Sequence, residues 1–370
     1  MTENNNPIRL QSRLALCVCT YKRPQLLELL LLDVKTQTLQ PEAIVIVDGD
    51  SSSGQILEML HNLRFPSSIS VFYVASNHGN QTYQRYLGWQ TSKSLGVKKI
   101  LYLDDDLRIE QPTAIQNIVA PLDWVERKVV AVTGTLDMGM PKSDDDSLTL
   151  VELREGLPDS SNVISRFGTS RKYQPGDVTS AGNRIPVIYS GNPYEPVKWL
   201  RGGAFAIRVD SLSKEILSDD IFAMNHMRYG LCEDLIISRR LISSGEIMLA
   251  FNAVFRHPSE DPPKAYSSNA YQLAFAIAYS RKWFNDNYRG FNPPRLADRL
   301  ALLKNYMAVL LLNTWRVLIS FNKQRALFTY GFLRGIVYSL IKKPTSDSLT
   351  PGINWWADAE EALSNQIRIK

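Results

Sequence analysis

The chain is poor in cysteine, with three in 370 residues. Cys17 and Cys19 stand two apart on an apolar run, which is neither a C-x-x-C redox motif nor the spacing of a zinc pair. No apolar signal-peptide core follows Met1, so a reduced, cytoplasmic setting is the expectation. Long basic blocks are also missing. The net charge of +5 comes from 42 basic against 37 acidic residues, and nothing in it resembles a stripe that tracks a nucleic-acid backbone. Nucleic acid is therefore not an expected partner, whereas anionic small substrates or a membrane surface suit a mild positive balance. Nowhere does the sequence reach the roughly 20 uninterrupted apolar residues of a spanning helix, because Asn313 and Arg316 break its richest stretch.

What is present is ordinary folded material, 44% hydrophobic and 21% charged, enough to bury a sizeable core. Residues 14–19 form an apolar run that passes through Thr20-Tyr21-Lys22-Arg23-Pro24 into a leucine-rich stretch, which reads as strand, turn and a helix opened by Pro24. Strands are expected again over 43–47, 70–74, 99–103 and 129–133, with helices over 55–63, 82–95 and 112–125. This alternation predicts an α/β fold, a mostly parallel sheet flanked by helices, with ligands gathering at the carboxyl ends of its strands. Thr20, Asp48, Asn77 and Asp104 sit at such ends. Residues 1–13 read as a disordered tail and 138–196 as a long functional loop or acceptor-side excursion. A helix over 233–243, a strand over 248–255 and a helix over 271–284 follow. The last is succeeded by a long helical region from Leu296 toward Lys342, whose apolar residues recur at spacings of three and four.

Several polar groups could carry chemistry. Asp104-Asp105-Asp106 leave a buried strand together, where their repulsion is costly without a cation. Hard oxygen ligands at this density favour magnesium or manganese held jointly with substrate phosphates. A solvated acidic turn is the other reading, and it is the one adopted for Asp144-Asp145-Asp146. Asp48 and Asp50 end a neighbouring strand, where a carboxylate can accept hydrogen bonds from a nucleobase or ribose, or can simply cap a turn. Arg85 lies on the helix after the third strand, where it could meet a nucleotide or stand as an ordinary solvated helical arginine. Glu233-Asp234 open a helix, where acidic residues are favoured in any case, and either could act as a general base. His257 follows a strand near the point where a third metal ligand would be needed. Gly202 and Gly203, after Trp199, let a donor sugar or an acceptor approach the backbone closely.

Together these residues resemble the family 2 glycosyltransferases, whose domain has the GT-A fold, over roughly Leu14 to Trp283. Thr20-Tyr21-Lys22-Arg23-Pro24 is similar to the family's opening Thr-Tyr-Asn-Arg segment. Val47-Asp48-Gly49-Asp50-Ser51 resembles its Val-Asp-Asp-Gly-Ser turn, with glycine and the second aspartate exchanged. Gln84-Arg85-Tyr86-Leu87-Gly88 is similar to Ala-Arg-Asn-x-Gly, Leu103 to Asp106 to the metal motif, and Glu233-Asp234 to the base motif. The stretch from Asp104 to Glu110 also resembles galactofuranosyltransferases. Tyr279 to Trp283 is similar to the Gln-x-x-Arg-Trp motif of processive synthases but lacks its glutamine, so processivity is not implied.

The resemblance implies a GT-A domain over 14–260, while the C-terminal helical region over 261–370 is read from its own apolar spacing and gains nothing from the comparison. It implies nucleotide contacts from Thr20, Arg23, Asp48 or Asp50, Arg85 and Asp105, and Mg2+ or Mn2+ on Asp104, Asp106 and His257. Acceptor or sugar contacts are expected at Trp199, Gly202 and Gly203, with Asp234 as base beside Glu233. The expected reaction is inverting transfer from a UDP- or dTDP-sugar to a hydroxyl of a glycan or glycolipid, in polysaccharide or cell-envelope assembly. Two rivals are a sugar nucleotidyltransferase and a non-catalytic carbohydrate- or membrane-binding module. The first would need a glycine-rich loop after the first strand, which Thr20 to Pro24 does not supply. The C-terminal helices are expected to pack on the catalytic domain or a second subunit, with peripheral contact at the inner face of the plasma membrane as the alternative.

Overall fold

The computed structural model describes residues 14–137, 173–187, 189–257 and 269–369. The expected tail over 1–13, the Asp144-Asp145-Asp146 triplet and much of the 138–196 excursion lie outside the described residues. The first half follows the alternation read from the sequence: β1 (Leu14–Thr20), α1 (Pro24–Lys35), β2 (Ala43–Asp48), α2 (Gln55–Asn62), β3 (Ser70–Ala75), α3 (Gln81–Ser94), β4 (Lys99–Asp104), α4 (Ala114–Val119) and β5 (Val129–Asp137). Then come β6 (Tyr194–Val197), β7 (Ala204–Arg208), α5 (Asp219–His226), α6 (Glu233–Leu241) and β8 (Glu246–Arg256). The chain closes with α7 (Ala270–Asn287), α8 (Leu296–Ile319), α9 (Lys323–Ile341), α10 (Ser346–Leu349), α11 (Trp355–Ser364) and β9 (Ile367–Ile369).

All described strands join one sheet in the order β6-β8-β5-β7-β4-β1-β2-β3-β9. β1 to β5 and β8 run in one direction, while β6, β7 and β9 run against them. β1 and β2 are buried at every position, as expected of parallel strands covered on both faces. On one face Leu27, Leu30, Ile56, Leu60, Ile115 and Ile118 bring α1, α2 and α4 onto the sheet. The other face is covered by α3, α5, α6 and α11, through side chains such as Tyr83, Leu87, Phe222, Ile236 and Trp355.

The C-terminal helices expected from the sequence are present, and the structure adds two features to that reading. Residues 296–342 do not form one continuous helical stretch: α8 ends at Ile319, and the side chain of Asn322 accepts hydrogen bonds from the Gln324 and Arg325 amides to cap a new helix. Beyond it, α11 packs on α3 and β9 pairs antiparallel with β3, so the last residues enter the sheet itself. Three residues are too short a run for hydrophobic alternation to reveal a strand.

α9 lies against α7 along a face that includes Gly331 and Gly335, one turn apart. A Cβ at Gly331 would stand 2.2 Å from the Tyr271 carbonyl oxygen, and one at Gly335 2.5 Å from that of Phe275. Gly331→Ala gains about 1 kcal/mol of helix propensity. Overpacking costs about 1–3 kcal/mol, and no rotamer change relieves a clash with backbone. The variant is expected to be less stable, visible as a lower urea midpoint. A midpoint at or above that of the parent would mean that the two helices separate readily.

Candidate active site

β1 has β2 on one side and β4 on the other, so the strand order reverses between β1 and β4 and opens a crevice at their carboxyl ends. Thr20 ends β1 and Asp104 ends β4. The Thr20 hydroxyl donates to Asp105 Oδ2 at 2.8 Å across this crevice, and Arg23, in the turn after β1, donates to Asp105 Oδ1 at 3.1 Å and to Asp106 Oδ2 at 2.9 Å. Gln84 reaches from α3 to the carbonyls of Thr20 and Val47, fixing the ends of β1 and β2 together.

α3 supplies the other side. Asn80 caps it by accepting from the Tyr83 amide, and the helix then presents two side chains to Asp104 Oδ1: Gln81 at 2.6 Å and Arg85 at 3.3 Å. Arg85 also donates to the Gly202 carbonyl at 2.5 Å and lies over the Phe205 ring at 5.2 Å. Because β7 runs antiparallel to β4, its start lies at the end of β4, and the Asp104 amide donates to the Gly203 carbonyl at 2.9 Å.

Glu233 and Asp234, at the start of α6, face the same glycines. A Cβ at Gly202 would stand 3.7 Å from both Arg85 Nη2 and Asp234 Oδ2 and 3.8 Å from Glu233 Oε1, and one at Gly203 would stand 3.5 Å from Asp104 Oδ2. The Gly202 amide donates to Asp234 Oδ2 at 3.1 Å, Arg184 pairs with that same oxygen, and the Leu235 amide donates to Oδ1 at 2.7 Å. At the end of β8, His257 Nε2 lies 3.3 Å from Asp106 Oδ2.

The crevice thus holds Thr20, Arg23, Arg85, Asp104, Asp105, Asp106, Gly202, Gly203, Glu233, Asp234 and His257. Asp48 is fully buried, taking a hydrogen bond from the Asp50 amide on Oδ1 and one from the Tyr73 hydroxyl on Oδ2. Asp50 is partly exposed, with Lys22 at 3.9 Å. Trp199 is packed in the core and does not present its ring at the surface. Gln81, Gln84 and Arg184 were not singled out in the sequence. Gln84 and Gln81 sit one and four positions before Arg85, the spacing that shares a helical face for the latter. Arg184 carries no such signal.

Charge is unevenly balanced. Burial pushes the Asp104 carboxyl up to about 6 and that of Asp105 up to about 7, in spite of Arg85 and Arg23 respectively. Burial acts on Asp106 as well, but the bond and charge of His257 and the charge of Arg23 hold it below the ordinary range. Burial and the neighbouring Asp234 push Glu233 up to about 8. Five carboxyl groups crowd against three guanidinium groups and one imidazole, and burial holds three of the five partly or largely protonated near neutral pH; a divalent cation would favour their ionised forms. The oxygen-rich donor set fits magnesium or manganese, and Asp104 Oδ2 has no hydrogen-bond partner among the described residues. Among the described residues, however, no three His, Cys, Asp or Glu side chains converge as a ready-made metal cluster. A cation here would need ligand oxygens to complete its shell.

Residues 15–170 match the family model described as Glycosyl transferase family 2. The first half of the chain therefore carries a domain of that family, and the protein is a glycosyltransferase. No curated protein matches the sequence. The fold is similar to that of the mannosyltransferase PcManGT from Pyrobaculum calidifontis, solved with GDP-Man and Mn2+, at 14% identity over 90% of this chain and 88% of that one, with a TM-score of 0.48. It is also similar to S. aureus TarS 1-349, solved with UDP-GlcNAc, at 12% identity over 89% and 92% of the two chains, with a TM-score of 0.44. The assignment rests on the sequence match and not on these two likenesses.

The raised Glu233 favours the folded state when protonated. Its contribution is complete below 4.5, the ordinary glutamate value, and is lost as pH rises through about 8. Glu233→Gln removes that loss. With chelator present, the variant is expected to unfold at a higher temperature than the parent at pH near 9 and at nearly the same temperature near pH 5. Equal midpoints at both pH values would show that Glu233 ionises freely.

Proposed function

We propose that the protein is an inverting transferase that moves a sugar from a nucleoside-diphosphate donor, UDP- or dTDP-linked, to a hydroxyl of a glycan or glycolipid. The observation that carries this reading is the approach of Asp234 to Gly202 and of Asp104 to the adjacent Gly203, which brings the acidic cluster and a general-base candidate to one small volume. Asp104 and Asp106, with His257, would hold Mg2+ or Mn2+, which would neutralise charge on the departing diphosphate when bound. Arg23 and Arg85 supply fixed positive charge beside it. Of Asp48 and Asp50, Asp50 is the better candidate for a base or ribose contact, because Asp48 is fully buried whereas Asp50, just beyond β2, is partly exposed.

Asp234 is the proposed base. Arg184 and the Gly202 amide occupy Oδ2, while Oδ1 takes one bond, from the Leu235 amide. A carboxylate oxygen has two acceptor sites, so Oδ1 keeps one for an acceptor hydroxyl. The acceptor oxygen attacks the anomeric carbon as its proton passes to Oδ1, the bond to the diphosphate breaks, and the configuration inverts without a covalent enzyme intermediate.

Calorimetric titration with UDP and dTDP, with and without manganese, tests the donor site. Binding is expected to depend on the cation and to disappear in Asp104→Ala. Asp234→Asn should bind nucleotide as the parent does while its kcat falls about 10²–10⁴-fold, and the product anomer read by NMR should be inverted. Undiminished transfer by Asp234→Asn would remove it as the base, and a retained configuration would overturn the single-displacement reading.

A further inference from the structure

α8 and α9 form an antiparallel hairpin whose inner faces are accounted for: Leu302, Tyr306 and Val309 of α8 pack with Phe328 and Phe332 of α9 against α7. The outer face of α8 is apolar as well. Leu300, Leu303, Met307, Leu311, Trp315 and Leu318 follow one another at steps of three or four residues, and all are exposed. At 1.5 Å per residue this stripe is about 27 Å long. It reaches the turn, where Phe321 is 78% exposed. Single exposed apolar side chains are normal in soluble proteins, but a continuous stripe of this length marks an interaction surface.

Charge identifies the occupant. Between Arg299 and Ser346 the sequence holds eight arginines and lysines and no aspartate or glutamate. That leaves 34 basic against 37 acidic residues elsewhere, so the positive balance of the protein resides in this stretch, six of the cations on the hairpin and Lys342 and Lys343 just beyond it. A second copy would bring eight cations against eight, which disfavours self-association through this face. An anionic surface with an apolar interior matches both features at once, and Trp315 and Phe321 are of the aromatic type that settles at a membrane interface. No described helix is long and apolar enough to cross a membrane, so α8 would lie in the plane of the surface.

We propose that the α8–α9 hairpin docks the protein peripherally on an anionic lipid bilayer, with the apolar stripe of α8 entering the headgroup boundary and the surrounding cations pairing with lipid charge. This inference does not depend on the chemistry at the strand ends. The test is cosedimentation of the full chain with phosphatidylcholine vesicles, with and without phosphatidylglycerol. Binding should be strong only with the anionic lipid and should weaken as salt screens the charges. Leu318→Glu should weaken it about tenfold or more and Arg325→Ala about fivefold, with far-UV circular dichroism and thermal midpoint unchanged in both. Failure to sediment with anionic vesicles, or equal binding to neutral ones, would overturn the proposal. A dimer that Leu318→Glu dissociates, without vesicle binding by the parent, would overturn it in favour of a second copy.

Discussion

Arg85 is 2% exposed, and its guanidinium meets a carboxylate, a backbone carbonyl and an aromatic face in the same crevice. Taking a cation out of water costs several kcal/mol, so such a group persists only where its surroundings are built to receive it. Here they are the end of β4 and the start of β7 with its Phe205 ring, brought together by the antiparallel pairing of the two strands. Asp104 is tied through Arg85 to α3, and the Gly202 carbonyl is tied to the same side chain. The approach of Glu233 and Asp234 to that glycine follows from the second tie. Removing the positive charge would leave crowded carboxylates facing one another at low solvent exposure, the least favourable arrangement that sheet end could adopt.

The region beyond the matched stretch also takes part in this geometry. Arg281 on α7 donates to Asn183 Oδ1 and, on its other side, to Asn305 of α8, and Asn285 donates to the Ser180 carbonyl. These bonds fix a short segment, and the next residue, Arg184, pairs with Asp234. On the far side of α3, His78 meets Asp358 of α11 at 2.7 Å and packs against Trp355. The helices after residue 270 thus brace the crevice from two directions.

The βαβ half of the fold was legible because β1, β2 and β4 are almost wholly buried apolar runs and α1 and α3 are long enough for their periodicity to show. The Asp104 to Asp106 run was legible as chemistry because three carboxylates leaving a buried strand are hard to explain otherwise. Other parts carried no local signal. β6 and β9 are too short to alternate, and α5 has only eight residues, about two turns. Arg184 reaches Asp234 across 50 residues of sequence, a distance over which no pattern of spacing operates. Trp199 and Asp48 looked available in the sequence because residue type does not reveal burial; packing from the other face of the sheet decides it.

The pairing of β9 with β3 has a consequence for the order of assembly. Ser70 and Arg368, hydrogen-bonded side by side, are separated by 298 residues of chain. Until residues 367–369 have been made, the outer edge of β3 is therefore an unpaired row of amides and carbonyls, the kind of edge that invites pairing with another chain. A contact this distant in sequence also forms late, since loop closure must precede it. The nascent protein therefore passes through a stage in which the β3 edge of its sheet is open.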